Sequence, residues 1–272
     1  VPADLRELLD DLAGETTATR GLVSDLDAAG WLTPTPAPGW TVADQISHLA
    51  FFDDAAITAA TDPDRFATEF SGEATAAGSP DDIAARYRDL AGSQLLSWFD
   101  SSRGQLIEVF ASTDPGHRMP WFGPPMSAAS AVTARIMETW AHGQDIADGL
   151  GVPHPPSGRL RHVAYLGIRA MPFSFASRGQ PAPEEAVRIE LTGPGGEQWA
   201  WGPPTAASRV TGPALGFCLL VTRRRHRADT GVIARGAVAD QWLDIAQAFA
   251  GPPGAGREPG QRFPHAAAGE EK

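Results

Sequence analysis

The sequence predicts an α+β protein, with an N-terminal four-helix bundle followed by a small α+β domain. Three observations predict it. The chain has 272 residues, and single hydrophobic cores stop growing at roughly 250 residues, so two cores are expected. Its first 150 residues carry apolar positions at helical spacing between loops rich in breakers. After Pro153-His154-Pro155-Pro156 the pattern changes to alternating, strand-like segments. The expected organisation is a bundle over 1–152, an α+β domain over 153–250 and a flexible tail over 251–272, which is rich in Pro, Gly and Ala.

Leucines at 5, 8, 9, 12, 22 and 26 predict a first helix over 4–28. The segment Thr33-Pro34-Thr35-Pro36-Ala37-Pro38-Gly39-Trp40 interrupts it, and Thr41 with Asp44 three residues on predicts a capped second helix to about residue 60. A polar stretch over 62–78 follows. Ser79-Pro80-Asp81-Asp82 then supplies an N-cap, a proline for the first turn and acidic residues for the dipole, which predicts a third helix from there to about residue 110. The loop from His117 to Pro125 holds too many breakers to be helical throughout. Ser127 opens a fourth helix, which Gly149, Gly151 and Pro153 end near Leu150. Four helices with modest connections make a bundle.

In the second half a helix is expected over 160–175. Val187 to Leu191 and Gln198 to Trp201 flank a Gly193-Pro194-Gly195-Gly196 turn and read as a hairpin. A strand over 208–211, a helix over 213–223 and a last helix over 238–249 complete the domain. There is no internal repeat.

Composition narrows the function. The net charge of -11 argues against a nucleic-acid binder and against an anionic membrane surface, because both draw affinity from clustered Lys and Arg. No run of about eighteen apolar residues is present, and residues 1–10 lack the basic start and apolar core of a signal peptide, so a cytoplasmic location is the expectation. The single cysteine, Cys218, cannot form an intramolecular disulfide, and its apolar neighbours mark it as a small buried hydrophobe. Thiol chemistry would have to come from a cofactor.

On the fourth helix Arg135, Glu138, His142, Asp145 and Gly149 form one stripe, opposite Val132, Ile136, Trp140, Ala147 and Leu150. From this helix alone the stripe reads as a solvated face with an ordinary charge pattern. The alternative is that Glu138 and His142, one turn apart, await a third metal ligand from a facing helix. His48 is the candidate, in the largely apolar segment from Trp40 to Ala50 where an unpaired imidazole is costly. A lone histidine there also reads as a hydrogen-bonded core residue.

The segment Trp40-Thr41-Val42 through His48-Leu49, followed by Arg135-x-x-Glu138-x-x-x-His142-x-x-Asp145, resembles the DinB-like superfamily, specifically its mycothiol-dependent maleylpyruvate isomerase branch. The resemblance covers roughly residues 5–150. The whole chain, including Trp121-Phe122-Gly123-Pro124-Pro125-Met126-Ser127-Ala128 and the ending from Trp242 to Gly260, resembles an actinobacterial subfamily of metal-binding proteins, whose second half is similar to a wyosine-base-formation domain.

The resemblance implies that His48, Glu138 and His142 bind zinc, or else nickel or iron, with a coordination position left for water or ligand. Three protein ligands and an open position are a catalytic arrangement. It further implies mycothiol, a low-molecular-weight thiol whose thiolate adds to an activated double bond, permits rotation and leaves. A small electrophilic molecule is the expected substrate, and the reaction class is isomerisation or thiol transfer. Thiol-independent hydrolysis, elimination or cyclisation at the metal, and non-catalytic ligand binding, stand as rivals. Asp145 and Arg135 would orient an imidazole, exchange protons or clamp a substrate carboxylate; equally, they read as a surface charge pair. Trp121, Phe122, Met126 and Trp140 are candidates for the pocket wall, with core packing as the plainer explanation. The basic run Arg223-Arg224-Arg225-His226-Arg227 is explained by the negative end of a helix dipole, or else Arg224 and Arg225 recruit an anionic cofactor or substrate. Monomer and homodimer remain equally open.

Overall fold

A computed structural model describes residues 4–70, 79–251 and 256–261 of the chain. It divides into two compact units, one up to His154 and one from Pro155 onward. Among the described residues no helix is long and apolar enough to cross a membrane.

In the first unit α1 spans Leu5–Val23, with Asp4 accepting from the Arg6 N–H at its start. It ends before residue 28 because Asp27 begins a separate turn, α2 (Ala28–Trp31), by accepting from the Gly30 N–H. The predicted capping box is present: Thr41 and Asp44 bond each other's backbone N–H at the start of α3, Val42–Thr61. The polar stretch expected over 62–78 opens with a short helix, α4 (Pro63–Glu69), which Asp62 caps and Pro63 starts. Residues 71–78 of that stretch lie outside the described residues.

The third predicted helix is in fact two, α5 (Pro80–Ala85) and α6 (Gly92–Ala111). Gly92 explains the break. Its Cα lies so close to the Trp31 ring that a Cβ would approach within 2.3 Å, so packing demands glycine, a poor helix former, at that point. The helix restarts there, with the Ala91 N–H donating to Gln94 Oε1 at 2.9 Å. The proline-rich loop forms two short antiparallel strands, β1 (Arg118–Met119) and β2 (Met126–Ser127). Ser127 then caps α7, Ala128–Leu150, which ends on Gly151 at φ 68°.

The long helices α1, α3, α6 and α7 pack as a bundle. Its core falls into two apolar clusters. One holds Leu5 to Leu12, Ala55 to Ala59, Leu106, Phe110 and Ile136; the other holds Val23, Val42 to Ala50, Leu95, Phe99 and Ile146. Along every one of these helices a polar residue lies between the two: Thr16, Asp53, Arg103 and Thr139. These residues bond each other. Arg103 donates to Asp53 through Nε at 2.7 Å and to Thr139 Oγ1 through Nη2 at 3.1 Å, and its Nη1 reaches Thr16 Oγ1. Arg135 donates through Nε to the other Asp53 oxygen at 2.9 Å and through Nη2 to the Leu49 carbonyl at 3.1 Å.

The second unit opens with α8 (Leu160–Arg169) and α9 (Met171–Ala176). A single helix was expected here; Pro172, in the first turn of α9, explains the break, since it cannot continue the preceding ladder. The predicted hairpin is β3 (Val187–Thr192) against β4 (Gln198–Trp201). Next come β5 (Ser208–Pro213), parallel to β3, and the buried helix α10 (Ala214–Val221). The strand β6 (Ile233–Arg235) is new; three residues are too few for alternation to be read. The sheet order is β4-β3-β5-β6.

The last helix, α11 (Ala237–Ile245), stops short of residue 249 because tertiary bonds claim the backbone beyond it. Gln247 N–H donates to Ser174 Oγ at 3.1 Å and Ala248 N–H to the Val221 carbonyl at 2.7 Å. Of the expected tail, residues 252–255 and 262–272 lie outside the described residues. Gly260 N–H, in the part that is described, bonds Asp229 Oδ2 at 2.8 Å.

Removing the shared anion leaves two buried guanidiniums without a counter-charge. Asp53→Ala is expected to lower unfolding free energy by roughly 3–5 kcal/mol, measured by urea denaturation followed by circular dichroism; a loss below about 1 kcal/mol would contradict a buried ionic cross-link.

Candidate metal centre

Two facing helices build the centre. α3 contributes His48 and, one turn earlier, Gln45; α7 contributes Glu138 and His142, also one turn apart. Glu138 Oε2 lies 3.2 Å from His142 Nε2 and 3.8 Å from His48 Nε2. The imidazole rings stand 4.4 Å apart, centre to centre. One ligand atom from each of the three residues falls within 4.8 Å of the others, and no other His, Cys, Asp or Glu group among the described residues does so.

The hydrogen bonds around His142 decide which nitrogen faces this point. Thr35 Oγ1 donates to the Trp40 carbonyl at 3.0 Å, so it accepts from Gln45 Nε2 at 2.8 Å. The Gln45 amide is thereby oriented with Oε1 toward His142 Nδ1, and the two are in hydrogen-bond contact. A carbonyl oxygen only accepts, so Nδ1 carries the proton and Nε2 turns its lone pair toward Glu138 and His48.

Protonation favours ligation as well. Burial and the neighbouring His142 push His48 down to about 4, against the opposing pull of Glu138, so the imidazole is neutral near pH 7. Burial by itself would raise Glu138. The neighbouring imidazoles of His142 and His48 more than offset it and hold the carboxyl well below its ordinary value.

These residues fit a divalent ion. Ligand atoms each about 2.1 Å from one ion are separated by up to twice that distance, so the spacings of 3.2 and 3.8 Å leave room for an ion between them. His48 Nδ1 is buried with no hydrogen-bond partner among the described residues. Its other nitrogen, Nε2, faces Glu138 and would be the ligand atom. The donor set of two imidazoles and one carboxylate suits zinc, nickel or iron.

The solvated-face reading of the α7 stripe is overturned: Arg135, His142 and Asp145 are 3%, 8% and 2% exposed. The helix is buried on both sides because the second, polar face meets α3 across a polar layer. Arg135 is bound to Asp53 and to the Leu49 carbonyl, which makes it part of the ionic cross-link. Asp145 is buried one turn beyond His142.

Among the expected wall residues, Trp121 and Phe122 reach the site indirectly. Both rings pack on Phe52, at 6.3 and 5.3 Å, and Phe52 packs on His48 at 4.6 Å. Met126 packs against the apolar cluster of Leu5 to Leu12. Trp140 is fully buried and faces away, stacking at 6.3 Å on His154, which pairs with Glu15 at 3.5 Å. Arg224 and Arg225 lie in the second unit just past α10. Their guanidiniums donate to the Thr222 and Arg224 carbonyls at 2.8 Å.

Sequence reading missed Gln45, Thr35, Phe52 and Asp53. For Gln45 and Phe52 a signal was available, since they sit three residues before and four after His48, on the same face of α3. Cys218 is, as expected, fully buried. Burial pushes its thiol up, and Sγ donates to the Leu160 carbonyl at 3.4 Å.

Residues 12–147 match the family model of the mycothiol maleylpyruvate isomerase N-terminal domain, and two uncharacterized proteins from strains of Mycobacterium tuberculosis are 48% identical over 256 residues, covering 94% of this chain and all of each relative. The chain belongs to the mycothiol maleylpyruvate isomerase family. Its fold agrees: a crystal structure of the mycothiol-dependent maleylpyruvate isomerase superposes with a TM-score of 0.57 at 19% identity, over 85% of this chain and 92% of that one. A histidine-to-alanine mutant of the same enzyme gives the same score at 18% identity. Residues 183–235 match a wyosine base formation model. The family's N-terminal model thus spans all three members of the His48, Glu138, His142 group.

His48→Ala is expected to lose bound metal, read by elemental analysis of the purified protein. Gln45→Leu, which keeps the volume but not the acceptor, is expected to weaken metal affinity by about 10–100-fold in a competitive chelator titration. Unchanged metal content in the His48 variant would remove the centre.

Proposed function

We propose that the protein is a metal-dependent enzyme that acts on a small electrophilic substrate with a low-molecular-weight thiol, as an isomerase or thiol transferase. One observation carries this reading: two imidazoles, of which that of His48 is neutral near pH 7, and one ionised carboxylate converge at the interior of a bundle, with no fourth His, Cys, Asp or Glu ligand among the described residues. A closed structural zinc site has four protein ligands, and a three-ligand site keeps a position for chemistry.

When bound, a divalent ion there supplies Lewis acidity, which favours a thiolate over a thiol at neutral pH and polarises an electron-poor acceptor. The chain's own residues do the positioning. Gln45 holds His142 in the tautomer that turns Nε2 inward, and Thr35 holds Gln45. Trp40, whose ring is 5.3 Å from His48 and 6.0 Å from His142, closes one side against water, with its own Nε1 tied to Asp81 Oδ1 at 2.6 Å. Glu138 is the ligand with the most exposed side chain, at 25% against 10% for each histidine, and this marks the direction of access.

The thiol is assigned to a separate molecule because the chain's one cysteine cannot serve. Cys218 is fully buried, and its thiol is raised by that burial. Its partner is the family's namesake, mycothiol, and the family's other namesake, maleylpyruvate, is the first substrate to test.

The metal-loaded protein is expected to turn over maleylpyruvate or another small electrophile only when mycothiol is added, with Glu138→Ala lowering the rate at least about 100-fold. Turnover of the same electrophiles without thiol would replace this reading by hydrolysis, elimination or cyclisation at the metal. No turnover of any electrophile, with metal intact, would favour a binding protein.

A further inference from the structure

We propose that the substrate of this centre carries an apolar, aromatic-sized group next to its reactive carbon. The inference rests on the metal-enzyme reading above and names its substrate class. It stands on what the first unit places beside His48.

One side of the centre is a continuous aromatic strip. The Phe52 ring sits 4.6 Å from His48, and Phe122 sits 5.3 Å from Phe52. Phe122 is 40% exposed, while Phe52 and Trp121 are half-buried, so the strip runs from a ligand ring out to solvent. It is held in place from beneath. Trp121 stacks on Phe66 at 6.0 Å, Phe122 meets Phe66 edge-on at 5.4 Å, and Phe66 is fully buried. The loop that carries Trp121 and Phe122 is pinned at both ends by the pairing of β1 with β2. Exposed aromatic surface joined to a polar centre is the ordinary make-up of a small-molecule site.

The charges nearby point the same way. Arg135 lies one turn before Glu138 on the same face of α7. Its Nε and Nη2 are directed at Asp53 and the Leu49 carbonyl. Arg103, the other buried guanidinium of the bundle, is likewise directed at Asp53, Thr16 and Thr139. Both cations hold helices together, and neither is turned toward the ligands. An anionic tail lying on Phe52 and Phe122 would lose its hydration against rings that offer no compensating donor.

The test uses the metal-loaded full chain and three hydroxamates that share one metal-binding head: acetohydroxamate, benzohydroxamate and the monohydroxamate of succinate. Calorimetry is expected to give benzohydroxamate at least about tenfold tighter binding than the succinate probe. Phe52→Ala and the solvent-exposed Phe122→Ser are each expected to erase most of that preference, read as the ratio of affinities for the probes within the same variant. A succinate probe that binds as tightly as benzohydroxamate, or a preference that survives both substitutions, overturns the substrate class alone. Failure of acetohydroxamate itself to bind overturns the metal centre, and the substrate class falls with it.

Discussion

The bundle is organised around Asp53, a fully buried carboxylate that takes Arg103 on both oxygens and Arg135 on one of them. A charge so enclosed is tolerable only when its partners hold their geometry, because the mutual attraction must offset the desolvation of all three groups. That demand is severe, and it fixes the register of the helices. Through Thr16 and Thr139 the network touches α1, α3, α6 and α7, and a slide of any one helix by a residue would break a bond that has no substitute in the apolar layers on either side.

The His48, Glu138 and His142 cluster inherits its precision from this cross-link. Arg135 donates to the carbonyl of Leu49, the residue after His48, and lies one turn before Glu138 on α7. The bond that sets the height of α7 against α3 is therefore made beside the ligands. Gln45 adds a second tie across the same two helices, from α3 to His142. A site built on two helices locked at adjacent points needs little help from loops, which accords with ligand placement on rigid elements.

Most secondary structure was legible in local chemistry. The capping pairs Thr41 with Asp44 and Ser79 with Asp82, the Ser127 cap and the Gly151 stop all act within a few residues, and each lies where the sequence placed it. Two of the misreadings have the opposite character. The break before Gly92 depends on Trp31, sixty-one positions earlier in the chain. The early end of α11 depends on Ser174 and Val221. Each is a local preference overridden by a distant partner, which no window of neighbouring residues contains.

For the site, the sequence by itself determined the one-turn spacing of Glu138 and His142, since helical periodicity brings i and i+4 to one face regardless of what lies opposite. Spacing could not say whether that face met water or another helix. The tertiary structure decided this, by burying a second, polar face of α7 against α3 and bringing His48 within 3.8 Å of Glu138 across ninety positions of sequence. It also decided the role of Arg135. A guanidinium beside a metal centre reads as a substrate clamp from its place on the stripe, and only the fold shows that Asp53 holds it, because an ion pair between two helices is a property of their packing and not of either segment.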